Sequence, residues 1–374
     1  MLPDGRTDLK ALSLDGLADF LAQHVPGGKE RYRARQLYKW MWQRGARSFD
    51  EMTNVSKDAR RALEQVAGMS FLELAKRQQS EDGTTKYVWR LADGQHIESV
   101  LIPDMNRPAY EGVVGKPRLT LCVSTQVGCA MACDFCLTGK MGLVRHLTAA
   151  EIAGQVRVLA AATNLLDFPF NIVLMGMGEP LHNYDETMKA LRMLRSEPGL
   201  AISPRRVTLS TVGIVPGLEK LAREPLMPNL AISLHATTDE QRTQLVPPNR
   251  KYPLASIIDA CRRFPLKNRN RITFEYVLLA GVNDTPDDAR RLVKLLSGIK
   301  AKVNLIPLNP APGIPYERPS DDRVNRFAQI LADRHVTVSV RKSRGRDIRA
   351  ACGQLIVDGG TRKTAAQQMA LLIR

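Results

Sequence analysis

The sequence predicts an α/β fold: a partial (β/α)6 TIM-like barrel, preceded by an N-terminal helical domain and a small β extension. The main observation is a series of short β-rich runs after residue 118, most of them separated by stretches of helical pattern. Alternating strands and helices indicate a parallel sheet with right-handed crossovers. The other two observations are helical periodicity before about residue 67 and alternating polarity between residues 71 and 103. We therefore predict four segments: 1–70, 71–118, 119–345 and 346–374.

The first segment is predicted to be a basic, helical, RNA-binding domain. Apolar residues recur at helical spacing, as in Ala34-Arg-Gln-Leu-Tyr-Lys-Trp-Met-Trp. Between Lys29 and Arg61 there are ten Lys and Arg residues and only four Asp and Glu residues, and the rings of Tyr32, Tyr38, Trp40 and Trp42 are interleaved with those charges. Basic residues interleaved with aromatic ones fit a nucleic-acid-binding surface. The tryptophans could equally form the core of a small helical domain, an alternative that the sequence leaves open.

The composition of the whole chain favours a polyanionic partner. Its formal net charge is +16, which points first to nucleic acid, although a merely basic surface would give the same number. No apolar run approaches membrane length and the N-terminus has no signal core, so we expect neither membrane insertion nor export. Six cysteines in 374 residues are too few for a disulfide scaffold. We expect a protein of the reducing cytoplasm.

The second segment is predicted to be a β extension that ends in a linker. Tyr87-Val-Trp-Arg-Leu and His96-Ile-Glu-Ser-Val-Leu-Ile-Pro alternate in polarity, as half-buried strands do. Residues 104–117 are rich in turn formers and are predicted to form a loop or hairpin.

The third segment is predicted to form the barrel. Seven runs are predicted as strands: Leu119–Ser124, Asn171–Met175, Arg206–Ser210, Leu230–Leu234, Ile272–Leu279, Val303–Leu308 and Val336–Val340. Helical patterns lie between most of them: Ala149–Leu159, Glu186–Arg195, Leu254–Arg263 and Asp287–Leu296. A partial barrel of about six strands, with one extra, fits this order. In such barrels the active site lies at the carboxyl ends of the strands.

The most informative motif is Cys-x-x-x-Cys-x-x-Cys, formed by Cys129, Cys133 and Cys136 directly after the first predicted barrel strand. Zinc sites usually have four ligands, and no fourth cysteine is near. Three thiolates suit a [4Fe-4S] cluster that keeps one iron open for another molecule. The amino and carboxylate groups of S-adenosylmethionine can chelate that iron, and the spacing is the signature of radical S-adenosylmethionine enzymes. A zinc site that borrows His146, or three ordinary buried thiols, are the alternatives.

Polar residues follow several other predicted strands. In Met175-Gly-Met-Gly-Glu-Pro180, after the second strand, Gly178 lets the backbone approach a ligand and Glu179 can accept from an amino group. Each residue of this kind, taken alone, would be a common turn or cap residue. Because the strand ends meet at one edge of the barrel, we predict that the set forms a cofactor site for S-adenosylmethionine: Gly178, Glu179, Ser210, Ser233, Leu234, His235 and Asn309.

Two cysteines outside the triad are candidates for catalysis. Cys122 lies on the first barrel strand, and Cys352 lies near the end of the chain beside a glycine and downstream of several arginines. These neighbours indicate an accessible Cys352 thiol in a positive field, which favours thiolate. The same positive charge would suit an RNA backbone. Two unrelated buried thiols are the alternative, and burial without function is what we expect of Cys261.

Four stretches together resemble the RlmN/Cfr family of radical S-adenosylmethionine RNA methyltransferases: Gln126–Gly139, Met175–Leu181, Ser203–Gly213 and Asp347–Gln354. The similarity runs from the basic helical region through Leu355. The resemblance implies a radical S-adenosylmethionine barrel, a [4Fe-4S] cluster and two molecules of S-adenosylmethionine per turnover. It also implies 23S ribosomal RNA and transfer RNA as substrates, and an electron donor such as flavodoxin with its reductase. We expect a monomer, because one polypeptide supplies every required part.

The resemblance also implies roles for three residues. Cys352 would receive a methyl group from one S-adenosylmethionine, and a radical formed from a second would remove a hydrogen from that S-methyl group. The resulting methylene radical would add to carbon 2 of adenine, and Glu98 matches the family's proton acceptor. Cys122 would then attack the Cys352 sulfur, which releases product and leaves a transient disulfide. A solvent-facing strand glutamate is the alternative for Glu98.

Other functions compete with this prediction. Cfr-type members methylate carbon 8 of the same ribosomal adenosine and share all five cysteines, but Pro180 and the basic N-terminal region favour carbon 2. A zinc-stabilised RNA-binding module would explain the triad but would leave Cys122, Cys352 and Glu179 without roles. A glycyl-radical activase would need neither the basic charge nor the outer cysteines.

The chain departs from the family pattern at two places. The linker of residues 104–118 is longer than is usual for the family. His146 stands where the family more often has Asn, and it could donate a hydrogen bond to the cluster.

Overall fold

The computed structural model describes residues 1–104, 118–163, 165–166, 169–267 and 270–356. Its N-terminal region contains helices α1 (Leu14–His24), α2 (Glu30–Tyr38) and α3 (Lys57–Val66), with a wider π-helical segment at Lys39–Arg44. Two short strands, β1 (Thr7–Asp8) and β2 (Ala67–Gly68), pair in parallel and bring the two ends of this region together.

The aromatic residues of the N-terminal region divide between core and surface. Tyr38 and Trp42 are fully buried, whereas Tyr32 is 62% exposed. The ring of Trp40 is partly buried and carries the guanidinium of Arg44 at 4.2 Å from its centroid. The core interpretation therefore holds for Tyr38 and Trp42, whereas Tyr32 is exposed; nucleic-acid binding by this region stays a prediction.

One ten-stranded sheet connects the β extension to the barrel. The extension consists of β3 (Glu73–Gln79), β4 (Thr85–Arg90) and β5 (His96–Asp104), which pair antiparallel with each other, and β5 pairs antiparallel with β6 (Arg118–Cys122). Beyond β6, six more strands continue the sheet in parallel in the described ranges: β9 (Asn171–Leu174), β10 (Val207–Thr211), β11 (Asn229–Ser233), β12 (Ile272–Leu278), β13 (Ala301–Pro307) and β14 (Thr337–Val340). The sheet order is linear from β14 to β3, so the barrel is open.

Helices connect the parallel strands in the described ranges: four lie at the stretches of helical pattern named from the sequence, and three lie where no such stretch was named. They are α5 (Ala149–Ala162), α6 (Tyr184–Arg195), α7 (Val215–Leu221), α8 (Asp239–Leu245), α9 (Leu254–Arg263), α10 (Pro286–Leu296) and α11 (Asp321–Asp333). Thr148 begins α5 with a capping box to Glu151, and Thr285 begins α10 in the same way with Asp288, so both helix starts satisfy their first backbone donors. The predicted partial (β/α)6 barrel with one extra strand is confirmed. The predicted segment boundaries stay predictions.

A small hairpin and a short helix lie between β6 and α5. Strands β7 (Gln126–Gly128) and β8 (Leu143–His146) pair antiparallel around helix α4 (Leu137–Met141). This insertion carries the cysteine triad, and the sequence did not indicate the hairpin. None of the helices in the described ranges is long and apolar enough to span a membrane.

Candidate active site

The three triad cysteines lie on one tightly folded loop just beyond the carboxyl end of β6. They follow β7, and Cys136 is the residue immediately before α4. Gly139 in that helix packs on the backbone of Cys133, where an added Cβ atom would lie 2.9 Å from both the nitrogen and the oxygen of Cys133. No side chain fits at that distance, so the loop geometry requires glycine here.

All three triad thiols are free and line one cavity. Burial raises the pKa of each thiol, and for Cys129 and Cys133 the neighbouring thiols raise the pKa further. Such thiols become thiolates beside a strong positive charge, which ligation to iron supplies. Within the described ranges, no three Cys, His, Asp or Glu side chains converge on a single ion position. In an iron–sulfur cube each cysteine binds a different iron, so this donor set fits a [4Fe-4S] cluster better than one zinc ion.

The cavity lies at the carboxyl end of the parallel sheet and has about 160 Å³ of solvent-accessible space. Most of the other side chains around it are apolar, such as Leu174, Val277 and Leu308. An apolar cavity with a few convergent polar groups is typical of a small-molecule site. The structure brings ten predicted site residues into its lining: Cys129, Cys133, Cys136, Gly178, Glu179, Ser210, Ser233, His235, Asn309 and Cys352.

Glu179 is a buried carboxylate that the backbone holds in place. Its Oε1 accepts from the N–H of Leu181 at 2.9 Å, and its Oε2 accepts from the N–H of Val212 at 2.8 Å. Its own N–H donates to Oε1 of Gln126 at 2.8 Å, next to Gly178, whose φ of 103° excludes most other residues. Burial raises the pKa of Glu179 to about 7, against the lowering effect of its hydrogen-bond donors. The carboxylate is thus oriented to accept from a cationic ligand group.

We expect Glu179→Gln to weaken S-adenosylmethionine binding by at least about tenfold, because a charged hydrogen bond contributes ~1.5–3 kcal/mol. Since the wild-type pKa is about 7, the wild-type affinity should fall as the pH decreases from about 8 to 6 and the carboxylate is protonated. Equilibrium dialysis with labelled S-adenosylmethionine measures both effects, with iron content as the control for cluster loading. An equal pH dependence in the variant would assign the titration to another group.

The remaining residues that the sequence predicted for the cofactor site come from neighbouring strand ends. The hydroxyls of Ser210 and Ser233 lie 3.3 Å apart, and His235 follows with a φ of 61°. Nδ1 of His235 accepts from the N–H of Val277 at 3.0 Å, which leaves the ring proton on Nε2. Burial, assisted by Arg242, lowers the pKa of His235 to about 3, so the ring stays neutral. Oδ1 of Asn309 is buried without a hydrogen-bond partner among the described residues and remains available to a ligand.

Leu234 does not line the cavity. Its side chain is fully buried, its N–H donates to the backbone oxygen of Glu275 at 3.0 Å, and its backbone oxygen accepts from Nε of Arg242 at 3.0 Å. These bonds fix the chain between Ser233 and His235. Any contribution of Leu234 to the cofactor site is therefore through backbone position.

Cys122 and Cys352 line a second, smaller cavity with about 70 Å³ of accessible space. Cys352 lines both this cavity and the larger one, whereas Cys122 lies at the end of β6, buried between β5 and β9. Burial raises the pKa of Cys122 to about 12 and also raises that of Cys352, while the Arg341 guanidinium opposes the shift at both thiols. The structure therefore brings together two cysteines that are 230 positions apart in the sequence.

Two charged residues of the site were missed by sequence reasoning. Arg341, at the end of β14, lines both cavities, and Glu275, on the fully buried strand β12, lines the larger one. Oε1 of Glu275 accepts from Nδ2 of Asn304 at 2.9 Å, and Oε2 lies 3.7 Å from Nη1 of Arg341. The sequence did contain a signal for Glu275: a carboxylate in an otherwise apolar strand needs either a buried partner or a cavity beside it. Of the arginines that the sequence placed near Cys352, Arg344 lines the smaller cavity.

Glu98 contacts the segment that carries Cys352 but lines neither cavity. It is 2% exposed, and its Oε1 lies 3.1 Å from Nζ of Lys86. Its Oε2 accepts from the N–H of Ile356 at 2.9 Å. The structure thus excludes the solvent-facing alternative and connects Glu98 with the C-terminal segment.

His146 reaches the cofactor site through Gln126. Nε2 of Gln126 donates to Nδ1 of His146 at 2.9 Å and lies 3.2 Å from Nδ1 of His182. The same Gln126 accepts from the N–H of Glu179. His146 therefore contacts the side chain that orients Glu179, and no described hydrogen bond joins it to the triad. The predicted linker lies outside the described residues over 105–117.

Comparisons with known proteins agree with this geometry. Residues 123–296 match the model of the radical SAM superfamily, and residues 7–69 match that of the ribosomal RNA large subunit methyltransferase N-terminal domain. A "Dual-specificity RNA methyltransferase RlmN" of Geobacter sulfurreducens is 54% identical over 94% of this chain and 92% of its own length. The protein of that name from Pelobacter propionicus is 51% identical over 94% of this chain and 96% of its own length.

A solved structure is similar over nearly the same range. The radical SAM methyltransferase from Sphaerobacter thermophilus superposes with a TM-score of 0.84 and 46% sequence identity, covering 93% of this chain and 99% of that one. Membership of the superfamily implies a [4Fe-4S] cluster and S-adenosylmethionine, which the cavity and its three thiols fit. These similarities, together with the cysteine loop and the strand-end residues, show that the chain belongs to the RlmN family of radical SAM enzymes.

Proposed function

We propose that this chain methylates carbon 2 of an adenosine in 23S ribosomal RNA, in the peptidyl transferase centre, and of an adenosine beside the anticodon in transfer RNA. The observation that carries the proposal is the position of Cys352, which lines both the cavity of the triad and the cavity of Cys122. A carbon held on Cys352 would lie between the predicted cofactor site and the thiol of Cys122. The names of the relatives support RNA as the substrate and a dual specificity.

The triad and the strand-end residues would hold the cofactors. Cys129, Cys133 and Cys136 would ligate the [4Fe-4S] cluster, and Glu179 would accept from the amino group of S-adenosylmethionine. When bound, these groups supply a methyl group and a radical able to remove hydrogen from an S-methyl group, which carbon 2 of adenine requires because it offers no nucleophilic electron pair. Two molecules of S-adenosylmethionine are needed per turnover, because the methyl donor and the radical source are consumed separately.

Three residues of the chain then perform the transfer. Cys352 would lose its thiol proton, and its sulfur would form a bond to the methyl carbon as the bond from that carbon to the sulfonium sulfur breaks, which leaves S-adenosylhomocysteine as the leaving group. After that carbon has joined the adenine ring, Glu98 takes the proton from carbon 2. The sulfur of Cys122 would finally attack the sulfur of Cys352: a disulfide forms and the sulfur–carbon bond breaks, with its electron pair leaving on the delivered carbon. That carbon takes up the proton lost by the Cys122 thiol and becomes the methyl group, and the one unpaired electron left from the radical addition returns to the electron donor system. A cellular thiol reductant must reopen the disulfide before the next turnover.

The charge distribution supports an RNA partner at the N-terminal region. Its surface includes the exposed ring of Tyr32 within a sequence stretch of excess Lys and Arg. Exposed aromatic rings among cations bind bases by stacking and phosphates by charge. We further propose that a flavodoxin with its reductase supplies electrons, and that the enzyme acts as a monomer in the cytoplasm.

An anaerobic assay tests the proposed function. We expect the protein, reconstituted with iron and sulfide and given reductant and S-adenosylmethionine, to convert adenosine in deproteinised ribosomal RNA and transfer RNA to 2-methyladenosine. Mass spectrometry of the nucleosides identifies the product. An 8-methyl product would assign the Cfr-type reaction instead, and a colourless protein with one bound zinc and no turnover would support the RNA-binding module.

A further inference from the structure

A small cavity lies where the N-terminal region, the chain leading into β3 and helix α5 meet. It has about 40 Å³ of accessible space, and its lining includes Lys10, Phe71, Glu151 and Arg157. It contains none of the residues assigned to the active site. Two cations in so small a space make it unusual, because buried positive charges are normally paired.

Lys10 is a mostly buried residue whose ammonium has no hydrogen bond or ion pair with the residues that the structure describes. The residue is 8% exposed, and the described residues offer its Nζ neither a hydrogen bond nor a carboxylate within ion-pair distance. Its Nζ lies 4.0 Å from the ring centroid of Phe71 and 5.9 Å from that of Trp42, so aromatic faces are its main contacts. Both carboxylate oxygens of nearby Asp8 are already engaged, by Ser70 and by the backbone N–H of Lys10. Burial lowers the pKa of Lys10 to about 8.

Arg157 adds a second buried cation with an unused donor. The residue is 9% exposed; one Nη atom donates to the backbone oxygen of Gln43 at 3.2 Å, but Nε is buried with no partner among the described residues. Gly45 packs on this guanidinium so closely that a Cβ atom would lie 2.2 Å from Nη2. Arg157 is thus held in place with an N–H left to donate. Arg47, exposed at its side chain, lies 4.9 Å from the same Phe71 ring and extends the positive field outward.

The nearby negative charge does not neutralise these cations. Glu151 lines the cavity, but its two oxygens accept from Arg145 at 2.8 and 2.9 Å and from the N–H of Thr148. A buried charge without a partner is costly because it has lost its hydration. The negative charge of Asp8 offsets part of this cost by raising the pKa of Lys10, whereas Arg157 and Arg47 lower that pKa through repulsion. An anion in the cavity would remove both penalties. Because one water needs about 10–15 Å³, the space holds roughly three waters, which is room for the two non-bridging oxygens of a backbone phosphate.

We propose that this cavity binds a phosphate group, with Lys10 and Arg157 as donors. The phosphate of an RNA backbone is one source, which rests on the proposed function, and free inorganic phosphate is the other. Both present the same tetrahedral oxyanion to the same donors. Arg47 contacts the same Phe71 ring as Lys10 and belongs to the N-terminal stretch of excess Lys and Arg, so we expect RNA to be the source.

The first test is thermal unfolding of the full chain in phosphate and in chloride at equal ionic strength. We expect phosphate to raise the unfolding temperature of the wild type by a few degrees, because a ligand that binds only the folded state stabilises it. Lys10→Met keeps the contacts with Phe71 and Trp42 but removes the charge, so the phosphate shift should disappear while the variant remains folded. Lys302→Met, which removes an exposed lysine of β13, is the matched control and should keep the shift.

The second test measures how RNA affinity depends on salt for the same two variants. If RNA supplies the phosphate, Lys10→Met should bind RNA several-fold more weakly and lower the slope of log affinity against log salt by about one phosphate contact. If the unfolding shift is lost but the slope is unchanged, the ligand is free phosphate. The proposal is overturned if Lys10→Met and Lys302→Met agree in both measurements. Because unfolding needs neither cluster nor RNA, its result is independent of the proposed methylation.

Discussion

Cys352→Ala should abolish methylation while the cluster and the cofactor site remain intact. Without the Cys352 sulfur no methyl carrier remains, and no other thiol lines both cavities: the triad cysteines are predicted ligands, Cys122 lines only the smaller cavity and Cys261 is buried in α9. We expect product formation to fall below detection, at least about 10⁴-fold, as for loss of a covalent nucleophile. Nucleoside mass spectrometry measures turnover, and iron, sulfide and visible absorption measure the cluster.

The variant also has an expected positive signal. It should still cleave S-adenosylmethionine reductively at a low rate, because the triad and Glu179 do not depend on the Cys352 side chain. Cys261→Ala is the matched control: it removes a buried thiol remote from the cavities and should retain wild-type turnover. Residual methylation by Cys352→Ala near the wild-type rate would rule out a cysteine carrier and favour direct transfer.

Much of the fold followed from the sequence because strand and helix patterns alternate over the barrel. Each barrel strand was predicted to within two residues; Leu230–Leu234, for example, is observed as Asn229–Ser233. The position of the β extension was not predictable in the same way. Its strand β5 pairs with β6 through contacts such as Val100 with Cys122, and periodicity within a run carries no information about its partner. The hairpin of β7 and β8 was missed because its strands are too short to show alternation.

The residues of the candidate active site also fall into those that the sequence could predict and those that it could not. The triad and the strand-end residues could be predicted, because a motif fixes the first and the rule of carboxyl strand ends fixes the others. Glu275 and Arg341 were missed since that rule considers residues after strands, whereas Glu275 lies inside one. The proximity of Cys122 to Cys352 came from family resemblance. Spacing alone could not supply it, because the two thiols meet only after the chain has passed through the whole barrel.

Cys122→Ala should allow carbon transfer but prevent release. Cys122 shares the smaller cavity with Cys352, and the chain has no further cysteine there to replace it. The reaction should therefore stop with the RNA joined to Cys352 through the delivered carbon, giving about one adduct per active enzyme and little free product. Denaturing gel electrophoresis detects the adduct, and nuclease digestion followed by peptide mass spectrometry locates the modified adenosine on Cys352.

The environment of Cys122 explains why this effect should be large. Burial raises its pKa to about 12, and the main opposing charge is Arg341, so the thiol reacts readily only when a sulfur is presented to it inside the cavity. An external thiol would have to enter that cavity to substitute, which about 70 Å³ of accessible space does not permit easily. Adding a small thiol such as methanethiol at high concentration should therefore rescue release more than glutathione does. Normal yields of free 2-methyladenosine from Cys122→Ala, without any adduct, would remove Cys122 from the mechanism.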